Sequence, residues 1–216
     1  MEITTNLQDV KKPRLAEFLK RINPTRGRVI LAIDATASRQ PTWDTAAELQ
    51  AQMFEAANGL DIQLIYFRGG EFTASPWVGD ASSLTTIMRR VTCISGLTQI
   101  GKVLLHAAKE HRRQPVNALV LVSDACEEQP GDLYAHAREL GVPAFLFQEG
   151  DDPSTAFTYA RIAEITHGAV VRFDAGAAQR LADLLKAVAA FASGGLTALA
   201  AQKTEAATLL LTQIKK

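Results

Sequence analysis

Short, nearly unbroken apolar runs alternate along this chain with longer stretches whose apolar residues recur every three or four positions. The runs at 28–34, 62–67, 116–122, 142–147 and 169–173 are rich in β-branched residues and have no polar face. Runs of that length read as strands buried on both faces, the habit of a parallel sheet. Gly69-Gly70 marks a tight turn into 71–75, with Trp77-Val78 beyond Pro76, so this strand is expected antiparallel, at an edge. Helical spacing appears over 15–22, which stops before Asn23-Pro24, and from Pro41 through 58, with Trp43, Ala47 and Phe54 on one face. It returns over 81–90, then in a helix begun by Thr98 with Ile100, Val103, Leu104, Ala107 and His111 as its stripe. Helices follow over 132–140, closed by Gly141, over 153–167, closed by Gly168, and over 177–191, with Leu181, Leu184, Leu185, Val188 and Phe191 on one side. Strands and helices alternating at these lengths predict an α/β fold. The sheet is expected to be doubly wound, Rossmann-like, six-stranded and mostly parallel, with one antiparallel edge strand and helices on both faces.

The pattern divides the chain into a helical lead-in (1–26), the α/β domain (27–193) and a C-terminal amphipathic helix (194–216). In that last segment Leu196, Leu199, Ala200, Ala207, Leu210, Leu211 and Ile214 share a face. Such a face either packs on its own domain or docks on a partner or a second copy, and the spacing leaves both open.

Composition narrows the classes. With 216 residues, 47% of them hydrophobic, one sizeable core is affordable. Lys and Arg number 23 and so do Asp and Glu, so no global charge invites nucleic acid or an anionic membrane. A local basic excess (Lys11, Lys12, Arg14, Lys20, Arg21, Arg26, Arg28) reads as a solvated helix and loop. No apolar run follows Met1, and no secretory signal is expected. The apolar tract 187–201 is Ala-rich, interrupted by Gly194-Gly195, and too short for a membrane span. Cys93 and Cys126 have neither metal nor redox spacing, so the expected setting is a reducing cytoplasm.

Candidate chemistry lies at three strand or helix boundaries. Asp34-Ala-Thr36-Ala-Ser38 follows the first strand, Thr98 follows Gly96 at a helix start, and Asp124 follows the fourth strand in Leu-Val-Ser-Asp. In a doubly wound sheet that builds one way and then the other, the fourth strand lies beside the first. Asp34 and Asp124 then face each other across the crevice at the strands' carboxyl ends. Two carboxylates there repel unless a cation lies between them. Hydroxyl and carboxylate oxygens suit Mg²⁺, Mn²⁺ or Ca²⁺, and no His or Cys set suggests zinc.

In that order these segments resemble the von Willebrand factor type A (VWA) domain over about residues 28–191. They are similar to its metal-ion-dependent adhesion site, Asp-x-Ser-x-Ser with a later Thr and a later Asp. Thr36 replaces the first Ser and keeps the hydroxyl. The resemblance implies Thr36, Ser38 and Thr98 as direct ligands and Asp34 and Asp124 as ligands directly or through water. It leaves one position for an Asp or Glu of a partner protein, and it implies a binding module without catalysis. Ser123 reads as a supporting residue, Glu127 and Glu128 as solvated loop charges, and Cys126 as a packed thiol. Two other functions fit the chain. One is a Mg²⁺-dependent phosphohydrolase with Asp34 as nucleophile, although Thr36 stands where such enzymes need a second Asp. The other is a structural domain working through its C-terminal helix, with possible self-association there. The partial P-loop spacing Gly96-x₄-Gly101-Lys102 carries Val103 where Ser or Thr is required.

Overall fold

A computed structural model describes residues 26–40, 60–174 and 177–214. The helices expected over 15–22 and 41–58 lie outside the described residues. Among the described residues six strands form one sheet: β1 (Gly27–Asp34), β2 (Leu60–Arg68), β3 (Glu71–Ala74), β4 (Ala118–Ser123), β5 (Ala144–Glu149) and β6 (Ala169–Phe173). Their order is β3-β2-β1-β4-β5-β6. Only the β2–β3 pair is antiparallel, joined through Gly69, whose φ of 52° suits glycine. The doubly wound, mostly parallel α/β architecture is therefore as the apolar runs predict, with β3 at the edge and β4 beside β1.

Strand pleat sorts each run between two cores. Val29, Leu31 and Ile33 of β1 enter one core, together with Leu84 and Met88 of α1 (Ala81–Met88) and Leu181, Leu184, Leu185 and Val188 of α5 (Ala178–Ala201). Ile30 and Ala32 enter the other. There they meet Val103 and Leu104 of α2 (Ile100–Arg113), Leu133 and Leu140 of α3 (Pro130–Leu140), and Tyr159 and Ile162 of α4 (Pro153–Thr166). Both faces are thus covered, which is why these strands lack a polar side.

Several local expectations shift. The second helix of the core begins at Ile100, so Thr98 lies in the preceding loop and does not open it. Arg28 is not solvated: its guanidinium lies 3.7 Å from the centre of the Trp77 ring, donates to the Gln114 carbonyl at 2.7 Å, and sits 3.9 Å from Glu110. The apolar tract 187–201 is the second half of a longer element. α5 carries the interruption expected at Gly194-Gly195, a kink where the backbone leaves helical geometry; counted across that kink, Gln179–Ala201 is long and apolar enough to cross a membrane. Leu181, Leu184, Leu185, Val188 and Leu199 of this element are buried in the core, while Leu196 is exposed.

The tail closes on its own domain. α6 (Glu205–Ile214) buries Ala207 and Leu210, beside Leu199, in the core that holds α5. Gln213 then pairs with the open edge of β6: its Oε1 accepts from the Val170 N–H at 2.9 Å and its Nε2 donates to the Val170 carbonyl at 2.8 Å. A side-chain amide here does what a neighbouring strand would do for an edge residue.

Candidate metal centre

β1 and β4 are adjacent and parallel, with Ile33 opposite Val122, so their last residues finish side by side. Asp34 ends β1 and Ser123 ends β4, and the Ser123 hydroxyl donates to Asp34 Oδ2 at 2.7 Å. The other Asp34 oxygen, Oδ1, accepts the Thr36 N–H at 2.8 Å, which turns the chain sharply out of the strand. Asp34 is fully buried. Burial pushes its carboxyl above the ordinary range and the nearby Asp124 charge adds to this, against the bonds from Ser123 and Thr36.

Beyond that turn, one 3-10 turn (Ala37–Arg39) brings the Ser38 hydroxyl 3.2 Å from that of Thr36. The loop after α1 is fastened over the same strand end. The Ile94 N–H bonds to the Ala35 carbonyl at 3.0 Å, and the Cys93 N–H to Gln40 Oε1 at 3.2 Å. Gly96 crosses so close over the β2–β3 turn that a Cβ there would run into the Gly69 backbone. That approach explains the glycine and sets Thr98, two residues on, at the mouth of the cleft.

Asp34, Thr36, Ser38, Thr98 and Asp124 all line this one cleft of about 230 Å³, with Ser95, Gly96, Ala125 and Glu127. The five residues singled out in the sequence come from three distant segments and meet at the carboxyl ends of β1 and β4. Every donor among them is oxygen, three hydroxyls and two carboxylates, and that set fits a hard divalent cation. Among the described residues no three His, Cys, Asp or Glu side chains form a metal-holding group, so any ion here depends on the hydroxyls.

Three neighbours were not evident beforehand. Glu127 is solvent-exposed as expected, yet its Oε2 accepts from both the Thr98 hydroxyl (2.6 Å) and the Thr98 N–H (3.1 Å). The Glu127 N–H donates back to Thr98 Oγ1 at 3.3 Å. Glu128 is not a free loop charge either: its two oxygens accept from the Ile100 and Gly101 N–H groups (2.9 Å for the latter), capping α2 in place of a side chain at Gln99. A carboxylate of the chain itself therefore occupies the helix start where the partial P-loop spacing would have put a phosphate. Arg39, the third, is buried and paired with Glu149 at the end of β5. Burial lowers its pKa, while the charges of Asp124 and Asp34 oppose that shift, so a guanidinium stands behind the site carboxylates.

The remaining chemistry is quiet. Burial raises the Cys126 thiol pKa to about 11, in keeping with a packed thiol, and neither Cys93 nor Cys126 forms a disulfide. The fully buried Tyr159 donates to the Ala125 carbonyl at 3.3 Å and braces the loop after β4 from α4.

No family model and no curated protein matches this chain. Solved structures do. A von Willebrand factor type A protein from Catenulispora acidiphila superposes with a TM-score of 0.62 at 18% identity, covering 79% of this chain and 43% of that one. An aerotolerance-related membrane protein from Bacteroides fragilis NCTC 9343 gives 0.57 at 18%, covering 74% and 98%. The vWF domain of the type V pili tip protein Mfa5 from Porphyromonas gingivalis gives 0.57 at 12%, covering 75% and 93%. The chain spans less than half of the first of these and nearly all of the other two. The fold is that of VWA domains.

Proposed function

We propose that this chain is a divalent-cation-dependent protein-interaction module and not an enzyme, with the cleft at the ends of β1 and β4 as its binding site. One observation carries the reading: five oxygen-bearing side chains from three distant segments line a single cleft in a VWA-type fold. In this reading the hydroxyls of Thr36, Ser38 and Thr98 hold Mg²⁺, Mn²⁺ or Ca²⁺ directly. Asp34, whose oxygens are already engaged by Ser123 and Thr36, acts through water, and Asp124 completes the set. When bound, the ion supplies an anchor for an Asp or Glu carboxylate of a partner protein. The same engagement of Asp34, together with its burial, argues against its use as a phosphate-accepting nucleophile. Leu199, Ala207 and Leu210 of the C-terminal segment are buried in the chain's own core, which argues against that segment as the working surface. We further propose a cytoplasmic setting, on two cysteines that form no disulfide and on the sequence composition.

Isothermal titration with Mg²⁺ and Mn²⁺ tests the reading. Wild type should bind with 1:1 stoichiometry, and Asp34→Ala and Thr98→Ala should each weaken binding by about 10-fold or more. Equal affinity in all three proteins would sink the proposal.

A further inference from the structure

The pairing of Thr98 with Glu127 has a consequence for any ion held in the cleft. A hydroxyl has one hydrogen to give and two lone pairs to share. Glu127 Oε2 takes the Thr98 hydrogen at 2.6 Å, and the Glu127 N–H, at 3.3 Å, takes one lone pair. One lone pair is left, and Thr98 lines the cleft. A hydroxyl that lacked this partner could rotate its hydrogen toward the cation, where it would repel. With its hydrogen held by a carboxylate, the oxygen also becomes a better donor, as outer partners of metal ligands commonly make it. The Glu127–Thr98 N–H bond at 3.1 Å fixes the backbone of the same residue, so both the position and the rotor of Thr98 are set by one side chain.

We propose that Glu127 is a positioning residue for the cation site: it orients the Thr98 hydroxyl as a ligand and does not ligate through its own carboxylate. This rests on the metal-binding reading above and assigns to that site a residue outside the five-residue motif. Glu127 arrives from the loop after β4, three residues beyond Asp124, so a single short loop supplies one of the site's carboxylates and the guide for a hydroxyl from a different segment. Glu128, next in sequence, caps α2 and keeps the loop from sliding along it.

A double-mutant cycle with Mn²⁺ as the titrated probe tests this on the full chain: wild type, Glu127→Ala, Glu127→Gln, Thr98→Ala and the Thr98→Ala/Glu127→Ala pair. Thermal unfolding of each metal-free protein confirms the fold. A positioning role predicts that Glu127→Ala loses about 10-fold or more in Mn²⁺ affinity. Glu127→Gln, whose amide oxygen still accepts the hydroxyl hydrogen, should stay within about 3-fold of wild type. In the Thr98→Ala background, Glu127→Ala should change nothing further, because the hydroxyl it orients toward the ion has gone. Equal losses in the Gln and Ala variants would overturn the inference in favour of direct ligation by the carboxylate. So would a Glu127→Ala loss that persists without Thr98, or wild-type affinity in Glu127→Ala. A wild type that takes up no Mn²⁺ fails differently, since it removes the metal site itself.

Discussion

At the scale of single residues, burial decides chemistry on both sides of the sheet. His106 is half-buried on α2; its Nε2 lies 2.9 Å from Gln63 Oε1 and its ring packs at 5.9 Å from Phe72. Burial lowers its pKa, with Glu110 opposing the shift and Lys109 adding to it. The neutral ring is therefore preferred in the folded state. Above about pH 6.5 both states are neutral and this preference is fully felt; as pH falls, the unfolded chain takes the proton first, and stability is lost until the folded imidazole protonates too. Denaturant midpoints measured from pH 7 to 5.5 should fall in wild type and fall less steeply in His106→Gln; identical slopes would show that the ring titrates alike in both states. Legibility in the sequence also differs residue by residue. Asp34, Thr36, Ser38, Thr98 and Asp124 could be read because each stands at a boundary that apolar periodicity marks. Glu127, Glu128 and Arg39 could not. Glu127 meets Thr98 across 29 residues of chain, and Glu128 meets Ile100 across 28, so no local pattern distinguishes them from ordinary loop charges.

At the scale of elements, the strands were legible almost to their ends, because a strand buried on both faces leaves an uninterrupted apolar signature. Helix starts were less so. Thr98 looks like an N-cap by residue type, but the helix begins two residues later, since Glu128 supplies the capping oxygens from another loop. That frees Thr98 for the cleft, and the loop bearing it depends on a close backbone crossing. Gly96 and Gly70 make a matched pair of probes. A Cβ on Gly96 would strike the Gly69 backbone, whereas one on Gly70 would meet nothing within 4 Å. Gly96→Ala must push the loop away from the hairpin and carry Thr98 with it. Its cation affinity should fall by about 10-fold or more, the scale on which a misplaced ligand set is felt. Gly70→Ala should bind as wild type does. Comparable titration curves for both variants would mean that the crossing does not position the site.

At the scale of the whole molecule, the candidate cleft and the stabilising tail lie apart. The cleft opens at the ends of β1 and β4, near the middle of the sheet, while α6 closes the far edge at β6, two strands beyond β4. Adjacent strands lie about 4.8 Å apart, so roughly 10 Å of packed sheet separates the β4 end from the β6 edge. Effects at sites that far apart, with no shared partners, ordinarily add. The sequence left the tail's destination open because an amphipathic stripe is the same whether it meets its own core or another protein. The structure buries Leu210 completely among residues of the α5 core. Leu210→Ala should therefore cost about 2–5 kcal/mol in denaturant unfolding of the isolated chain, the range for a leucine removed from a close-packed interior. A tail that merely waited for a partner would lose far less. The same variant should keep its Mn²⁺ affinity, and combining it with Asp34→Ala should give stability changes that sum within about 0.5 kcal/mol. A Leu210→Ala protein that unfolds like wild type would return the helix to the role of docking surface. A loss of cation binding in Leu210→Ala would instead mean that the sheet transmits edge packing to its centre, and the division between the two ends would not hold.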